Sequence, residues 1–284
     1  MRIRTVDAFT DRPYAGNPAG VVLWESGPFP ADARLQRLAA ELNLAETAYA
    51  HPLPGDADGD RDKDADGGDW ALRWFTPATE VDLCGHATLA TAHALSEDGL
   101  VPAGGTLRFH TRSGVLSAAV APDGSITLDF PTAPLTRVPA PSGLAAALSA
   151  EPVAVYDTGP LGALLVELRD ESTVRELAPD TAALGQLPYT SVIVTAAADD
   201  PDAGGYAYVS RNFAPAVGIP EDPVTGSAHT ALAPLWCERR GVRTLTGLQA
   251  SARTGLVRTT LRGDRTELAG TAVTVLDAEL RAGL

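Results

Sequence analysis

An α+β fold made of two duplicated halves is what this 284-residue sequence predicts, and three observations predict it. The stretch Arg73 to His93, RWFTPATEVDLCGHATLATAH, has a second copy in Arg211 to Trp236, RNFAPAVGIPEDPVTGSAHTALAPLW. Phe75 and Pro77 match Phe213 and Pro215 at a spacing of 138 (213 − 75), while Glu80, Gly85 and Ala87 match Glu221, Gly226 and Ala228 at 141 (226 − 85). A short loop insertion accounts for the difference. A second echo pairs the Gly-Asn-Pro run before Val21 with Thr158 to Leu168, with Pro18/Pro160 and Gly20/Gly162 both 142 apart (160 − 18). The third observation is the alternation of short β-like runs with one well-marked helix per half, which is the pattern of α+β layers.

The elements follow in order. Ile3, Val6 and Phe9 mark an opening strand with Asp7 among apolar neighbours, and Gly16-Asn17-Pro18 is a turn leading into an apolar strand. Pro30 to Leu42 places Leu35, Leu38, Ala39 and Leu42 at helical spacing, with Asn43 as a left-handed stop. The run from Leu44 to Leu53 reads as a strand in which Glu46 is the one charge. From position alone Glu46 is a solvent-facing strand residue, since carboxylates are seldom buried without a partner. Facing a cleft instead, among apolar neighbours, it would suit a general base. Gly55 to Asp69, GDADGDRDKDADGGD, lacks the Gly and Glu positions of a calcium loop and reads as a solvated, mobile hairpin tip. Gly85-His86-Ala87-Thr88 and Gly226-Ser227-Ala228-His229 open two helices, and such ends present unpaired N–H groups and a positive dipole to anions. Gly and Ser are also ordinary helix-start punctuation, but chance does not readily repeat aromatic, proline, acidic and glycine landmarks in order.

Thr106 to Val120 and Ser125 to Phe130 read as strands turning at Gly114 and Asp123-Gly124. Ser142 to Ser149 is a short helix, Gly159-Pro160-Leu161-Gly162 opens a strand, and Val174 to Leu187 is helix-like. Strands follow at Ser191 to Thr195, Tyr206 to Ser210, Thr244 to Thr260 and Thr266 to Leu280.

Composition narrows the classes of function. A net charge of −14 and a pI near 4.7 give no basic footprint for nucleic acid or for an anionic membrane. Two cysteines are too few for a disulfide framework. The opening MRIRTVDAF has no apolar signal core, and no run reaches the ~20 apolar residues of a membrane span, so a cytoplasmic enzyme is expected.

Metal ligation by Cys84, His86, His93 or His229 lacks a Cys-x-x-Cys or His-Glu-x-x-His spacing, so no metal is expected. Ser227 lies outside a Gly-x-Ser-x-Gly elbow, and neither a Gly-x-Gly-x-x-Gly nor a Walker loop occurs. Cofactor-free acid–base chemistry remains, with Glu46, His86, Asp222, Ser227 and Cys84 as its candidates.

Gly16-Asn17-Pro18, Leu44-Ala45-Glu46-Thr47, Cys84-Gly85-His86-Ala87-Thr88 and Glu221-Asp222-Pro223-Val224-Thr225-Gly226-Ser227-Ala228 together resemble the PhzF family of phenazine-biosynthesis isomerases. The resemblance implies the diaminopimelate epimerase-like fold: two pseudo-symmetric halves, each a curved, largely antiparallel sheet around a central helix, with the active site in a cleft between them. The halves are expected at 1–117, joined by a returning strand at 273–284, and 118–272. It implies that Glu46 is the general acid/base, with Asp222 and His86 beside it in catalysis. Gly85, Gly226, Ser227 and Asn17 would bind a small carboxylate substrate, and the chain would form a homodimer. Related epimerases use two cysteines; here Cys84 fills the first position and Thr225 the second. A hydroxyl is too weak an acid to pair with a thiol in inverting a stereocentre. The expected reaction is therefore a one-base proton shift in a conjugated cyclic acid such as trans-2,3-dihydro-3-hydroxyanthranilate. The alternatives are an isomerase of a dienyl or pyrroline carboxylate and a non-catalytic binding protein on the same scaffold.

Overall fold

A computed structural model of the chain describes residues 1–24, 27–53 and 69–281. They form two compact units: Met1–Asp129 with Ala269–Leu284, and Phe130–Leu268. Most of the acidic run from Gly55 to Asp69 lies outside the described residues.

The first unit contains β1 (Arg2–Ala8), β2 (Asn17–Leu23), α1 (Asp32–Leu42), β3 (Glu46–Pro52), β4 (Asp69–Phe75), β5 (Glu80–Val81), α2 (Gly85–Glu97), β6 (Thr106–Thr111) and β7 (Gly114–Val120), followed by β8 (Ile126–Pro131). Its pairings are antiparallel for β1 with β2, parallel for β2 with β3, antiparallel for β3 with β4, parallel for β4 with β6, and antiparallel for β6 with β7 and β7 with β8. A boundary at 117 would cut β7 through its middle; the division follows β7 and most of β8 instead, which are hydrogen-bonded from Ala118↔Leu128 to Val120↔Ile126.

The second unit contains β9 (Thr136–Arg137), α3 (Leu144–Leu148), β10 (Ala154–Asp157), β11 (Ala163–Glu167), α4 (Glu171–Glu176), α5 (Thr181–Leu184), β12 (Ser191–Ala197), α6 (Pro201–Gly204), β13 (Tyr208–Ala214), β14 (Ile219–Asp222), α7 (Gly226–Arg240), β15 (Thr244–Gln249) and β16 (Gly255–Arg262). From β10 to β16 the pairings repeat those of the first unit: antiparallel, parallel, antiparallel, parallel, antiparallel. After β17 (Arg265–Gly270), the last strand, β18 (Ala272–Glu279), runs antiparallel to β1.

Each unit wraps its sheet around one helix. The α2 sequence is Ala- and Thr-rich on every side and is buried from His86 to Ala92, packing against β1, β2, β3 and β7. A helix with no polar face is one enclosed by protein. Thr88 and Thr91 tolerate this because each hydroxyl donates to a backbone carbonyl one turn back, at 2.6 and 2.7 Å. In the same way α7 is buried from Ala228 to Ala233 and packs on β11, β15 and β16.

The repeated aromatic and acidic landmarks are structural. Arg73 Nε donates to Glu80 Oε1 at 2.7 Å while its guanidinium lies 5.1 Å from the Phe75 ring centre. Arg211 does the same with Glu221 at 2.7 Å and with Phe213 at 4.9 Å. Each clamp ties β4 to β5, or β13 to β14, in the turn that precedes a glycine-led helix.

Two local expectations are corrected. Gly159 to Leu161 is a single 3₁₀ turn rather than strand, because Gly159 and Gly162 adopt φ of 57° and 71°, and the strand starts at Ala163. The helix expected over Val174 to Leu187 is instead α4 and α5, separated around Pro179. Proline restricts the residue before it and lacks the N–H that a continuous helix would need.

Candidate active site

In the first unit, four of the residues singled out in the sequence come together. Glu46 is the first residue of β3, opposite Ala19 in the parallel pair with β2, and its side chain is only 13% exposed. The strand's burial does not alternate, because α1 and α2 both pack against it, and the solvent-facing reading of Glu46 is therefore corrected. His86, in the first turn of α2, brings Nε2 to 3.2 Å from Glu46 Oε2. On the other side of the ring, Nδ1 lies 3.2 Å from Asn17 Nδ2 and 3.5 Å from Cys84 Sγ.

The proton positions follow. With the Asn17 amide nitrogen facing it, Nδ1 accepts, which leaves the ring proton on Nε2, toward Glu46. The Nε2–Oε2 approach is within ion-pair distance, but Nε2 makes no hydrogen bond among the described residues. Burial pushes the His86 imidazole down to about 3, so it is the neutral ring that faces the carboxylate. Asn17 is fully buried and sits behind the imidazole, so it reaches the site through His86.

Cys84 is the residue immediately before α2, with extended backbone (φ −147°, ψ 108°), and its carbonyl accepts from both Thr88 N–H and Thr88 Oγ1. This fixes Gly85 and His86 at the head of the helix, where the first N–H groups have no intrahelical partners and favour negative charge.

In the second unit, Asp222 ends β14 and Thr225 immediately precedes α7. The Thr225 hydroxyl donates to Asp222 Oδ2 and accepts from Asn212 Nδ2 at 3.0 Å and Gln249 Nε2 at 3.2 Å. Gln249, fully buried at the end of β15, holds this turn on both sides: Oε1 accepts from Thr225 N–H and Nε2 donates to the Asp222 carbonyl, each at 2.8 Å. The Thr225 hydroxyl proton is thus committed to Asp222. Gly226 is buried, and Ser227, half-buried beside it, accepts at its carbonyl from Thr230 Oγ1 at 2.7 Å. Deeper in α7, His229 Nδ1 and Tyr208 Oη share a hydrogen bond of 2.7 Å, and burial pushes His229 down to about 3.

Asn212 and Gln249 were not singled out in the sequence. Asn212 is the variable middle residue of the repeated Arg-x-Phe run and Gln249 lies on a strand with no motif, and only the fold carries them to Asp222 and Thr225.

The family model described as phenazine biosynthesis-like protein, PhzC-PhzF, matches residues 6–278. The chain belongs to the PhzF family. Among curated relatives of this PhzF-family chain, an uncharacterized isomerase of Pseudomonas aeruginosa is 43% identical over 281 residues, covering 99% of this chain and 98% of the relative. The human phenazine biosynthesis-like domain-containing protein is 36% identical over 302 residues, covering 99% of each. The crystal structure of a PhzF-family phenazine biosynthesis protein from Enterococcus faecalis superposes with a TM-score of 0.85 at 37% identity, covering 98% of this chain and 99% of that one. A hydroxyproline epimerase from Agrobacterium vitis shares the fold of this chain at 14% identity, with a TM-score of 0.59, covering 98% of this chain and 91% of that one. Among the described residues, no helix is long and apolar enough to cross a membrane.

Proposed function

We propose that this PhzF-family isomerase moves a proton and a double bond within a small conjugated cyclic carboxylic acid resembling trans-2,3-dihydro-3-hydroxyanthranilate, with Glu46 as its single base and acid. The observation that carries this reading is the Glu46 carboxylate, largely withdrawn from solvent and set 3.2 Å from the proton-bearing nitrogen of a neutral imidazole. Glu46 takes a proton from an sp³ carbon next to the conjugated system, the electron pair shifts along that system, and the same carboxyl returns the proton to a carbon further along. A positioned acid–base group of this kind supplies ~10²–10⁴ in rate. His86, with Nε2 3.2 Å away, orients the carboxylate. Gly85 at the head of α2, and Gly226 and Ser227 at the head of α7, are assigned to substrate binding, since helix-terminal N–H groups stabilise negative charge. Asp222 accepts from a hydroxyl or amine of the substrate.

Thr225 supports one base rather than two, since its hydroxyl is already spent on Asp222. The same reading places the enzyme in the cytoplasm as a homodimer in secondary metabolism, and sedimentation velocity tests the dimer. For the chemistry, the substrate acid is incubated in heavy water and followed by proton NMR. The expected result is deuterium in the product with wild type and none with Glu46→Gln, which still binds the acid. Turnover by Glu46→Gln at the wild-type rate overturns the assignment, and turnover only of dienyl or pyrroline carboxylates moves the substrate class.

A further inference from the structure

We propose that Glu46, Cys84 and His86 form a coordination site for a soft divalent cation, Zn²⁺ foremost, and that filling it switches the acid–base site off. One donor atom from each residue, a carboxylate oxygen, a thiol sulfur and an imidazole nitrogen, lies within 4.8 Å of the other two. Cys84 and His86 are buried, and Glu46 is mostly so. With Zn–N near 2.0 Å and Zn–S near 2.3 Å, the edges of a tetrahedral site are about 3.4–3.6 Å long. Two edges already have about that length: Cys84 Sγ to His86 Nδ1 at 3.5 Å and Glu46 Oε2 to His86 Nε2 at 3.2 Å. These contacts use opposite ring nitrogens, so a metal takes one of them and the third ligand closes by about 1 Å, which a side-chain rotation supplies.

Charge and softness choose the ion. Binding releases the thiol proton, and the resulting thiolate and the Glu46 carboxylate together neutralise a dication, so the filled pocket buries no net charge. Thiolate with imidazole selects Zn²⁺ over Mg²⁺ or Ca²⁺, which prefer cages of oxygen. Three protein ligands leave a fourth position for water. Sequence spacing cannot reveal such a site, because Glu46 arrives from β3 while Cys84 and His86 flank the start of α2.

Metal binding rests on the geometry alone. The switching-off rests also on Glu46 being the base, since a metal-bound carboxylate cannot accept a proton, and the test keeps the two apart. Metal-stripped protein is dialysed against limiting Zn²⁺ or Mg²⁺ and its metal content measured. A parallel sample takes Co²⁺ and is read for the sulfur-to-cobalt charge-transfer band in the near ultraviolet. One zinc per chain, no retained magnesium and a cobalt–sulfur band are expected. Cys84→Ala should abolish the band, and Cys84→Ala and Glu46→Gln should each weaken zinc retention at least about tenfold. A protein that retains no zinc and shows no band, or zinc retention unchanged in both variants, overturns the site. Neither readout involves turnover, so a zinc site in a protein that fails the heavy-water test refutes the proposed reaction and leaves the site standing. If turnover is seen, Zn²⁺ should abolish it and EDTA should restore it; turnover at the wild-type rate with one zinc bound refutes the switch.

Discussion

The two buried imidazoles should set the acid limb of the protein's stability. His86 and His229 are each pushed by burial down to about 3 in the folded chain, against about 6.5 when unfolded. Between these values the unfolded chain binds protons that the folded chain refuses, so stability falls as pH drops below 6.5 and is fully present above it. At pH 5 the interval is 1.5 pH units, and at ~1.4 kcal/mol per unit each histidine costs about 2 kcal/mol relative to neutral pH. His93 is shifted down as well, chiefly by burial, and acts in the same direction. The assay is urea unfolding followed by tryptophan fluorescence, which the buried Trp74 and Trp236 should report, at intervals from pH 4.5 to 7.5. His86→Gln and His229→Gln should each flatten the dependence by ~1.4 kcal/mol per pH unit across pH 4.5 to 6. If His229→Gln does so and His86→Gln does not, the Glu46 carboxylate must be holding a His86 imidazolium in the folded protein. The neutral-imidazole account of the pair would then be wrong. An unchanged slope in both variants would refute the linkage altogether.

Glu46→Gln should lower kcat by ~10²–10⁴ while leaving the thermal midpoint within a few degrees, checked by turnover and calorimetry side by side. Gln249→Leu removes three hydrogen bonds from the Asp222–Thr225 turn and leaves the part-buried Thr225 N–H without its partner, so it should cost about 1–3 kcal/mol by urea unfolding. It should raise KM more than it lowers kcat, because it loosens groups assigned to binding rather than to proton transfer. Arg73→Met and Arg211→Met each break a guanidinium–carboxylate clamp; the loss should be about 2–3 kcal/mol for Arg211, whose Nη1 also donates to the Leu177 carbonyl at 2.7 Å, and smaller for Arg73, because Glu80 keeps Arg112 as a partner. A loss confined to one of them would show that the duplicated turns no longer do the same work.

How much of this was legible in the sequence depends on whether the signal was repeated. The Arg-x-Phe, proline, Glu and Gly landmarks recur in order, and the fold uses them identically, with Arg73–Glu80 and Arg211–Glu221 as the matching clamps. The order of strand pairings in the two units repeats with them. Glu46 read as outward-facing because a carboxylate is seldom buried without a partner, and its partner, His86, is brought to it only by the packing of α2 on β3. Left-handed glycines hid the turn before β11, since a Gly-Pro-Leu-Gly run reads equally as a strand entry. Gln249 and Asn212 left no usable signal: an amide at the end of β15 and another inside β13 become meaningful only when the fold brings Asp222 and Thr225 to them.

The pairing of β18 with β1 has a consequence for biogenesis. Residues 130–268 form a contiguous stretch, whereas the unit begun by Met1–Asp129 is completed by a strand made some 140 residues later (272 − 129 = 143). Until then the outer rim of β1, from Arg2 to Ala8, offers a row of unpaired peptide groups to any passing chain. Nascent chains stalled before residue 272 should therefore be the form most dependent on chaperones.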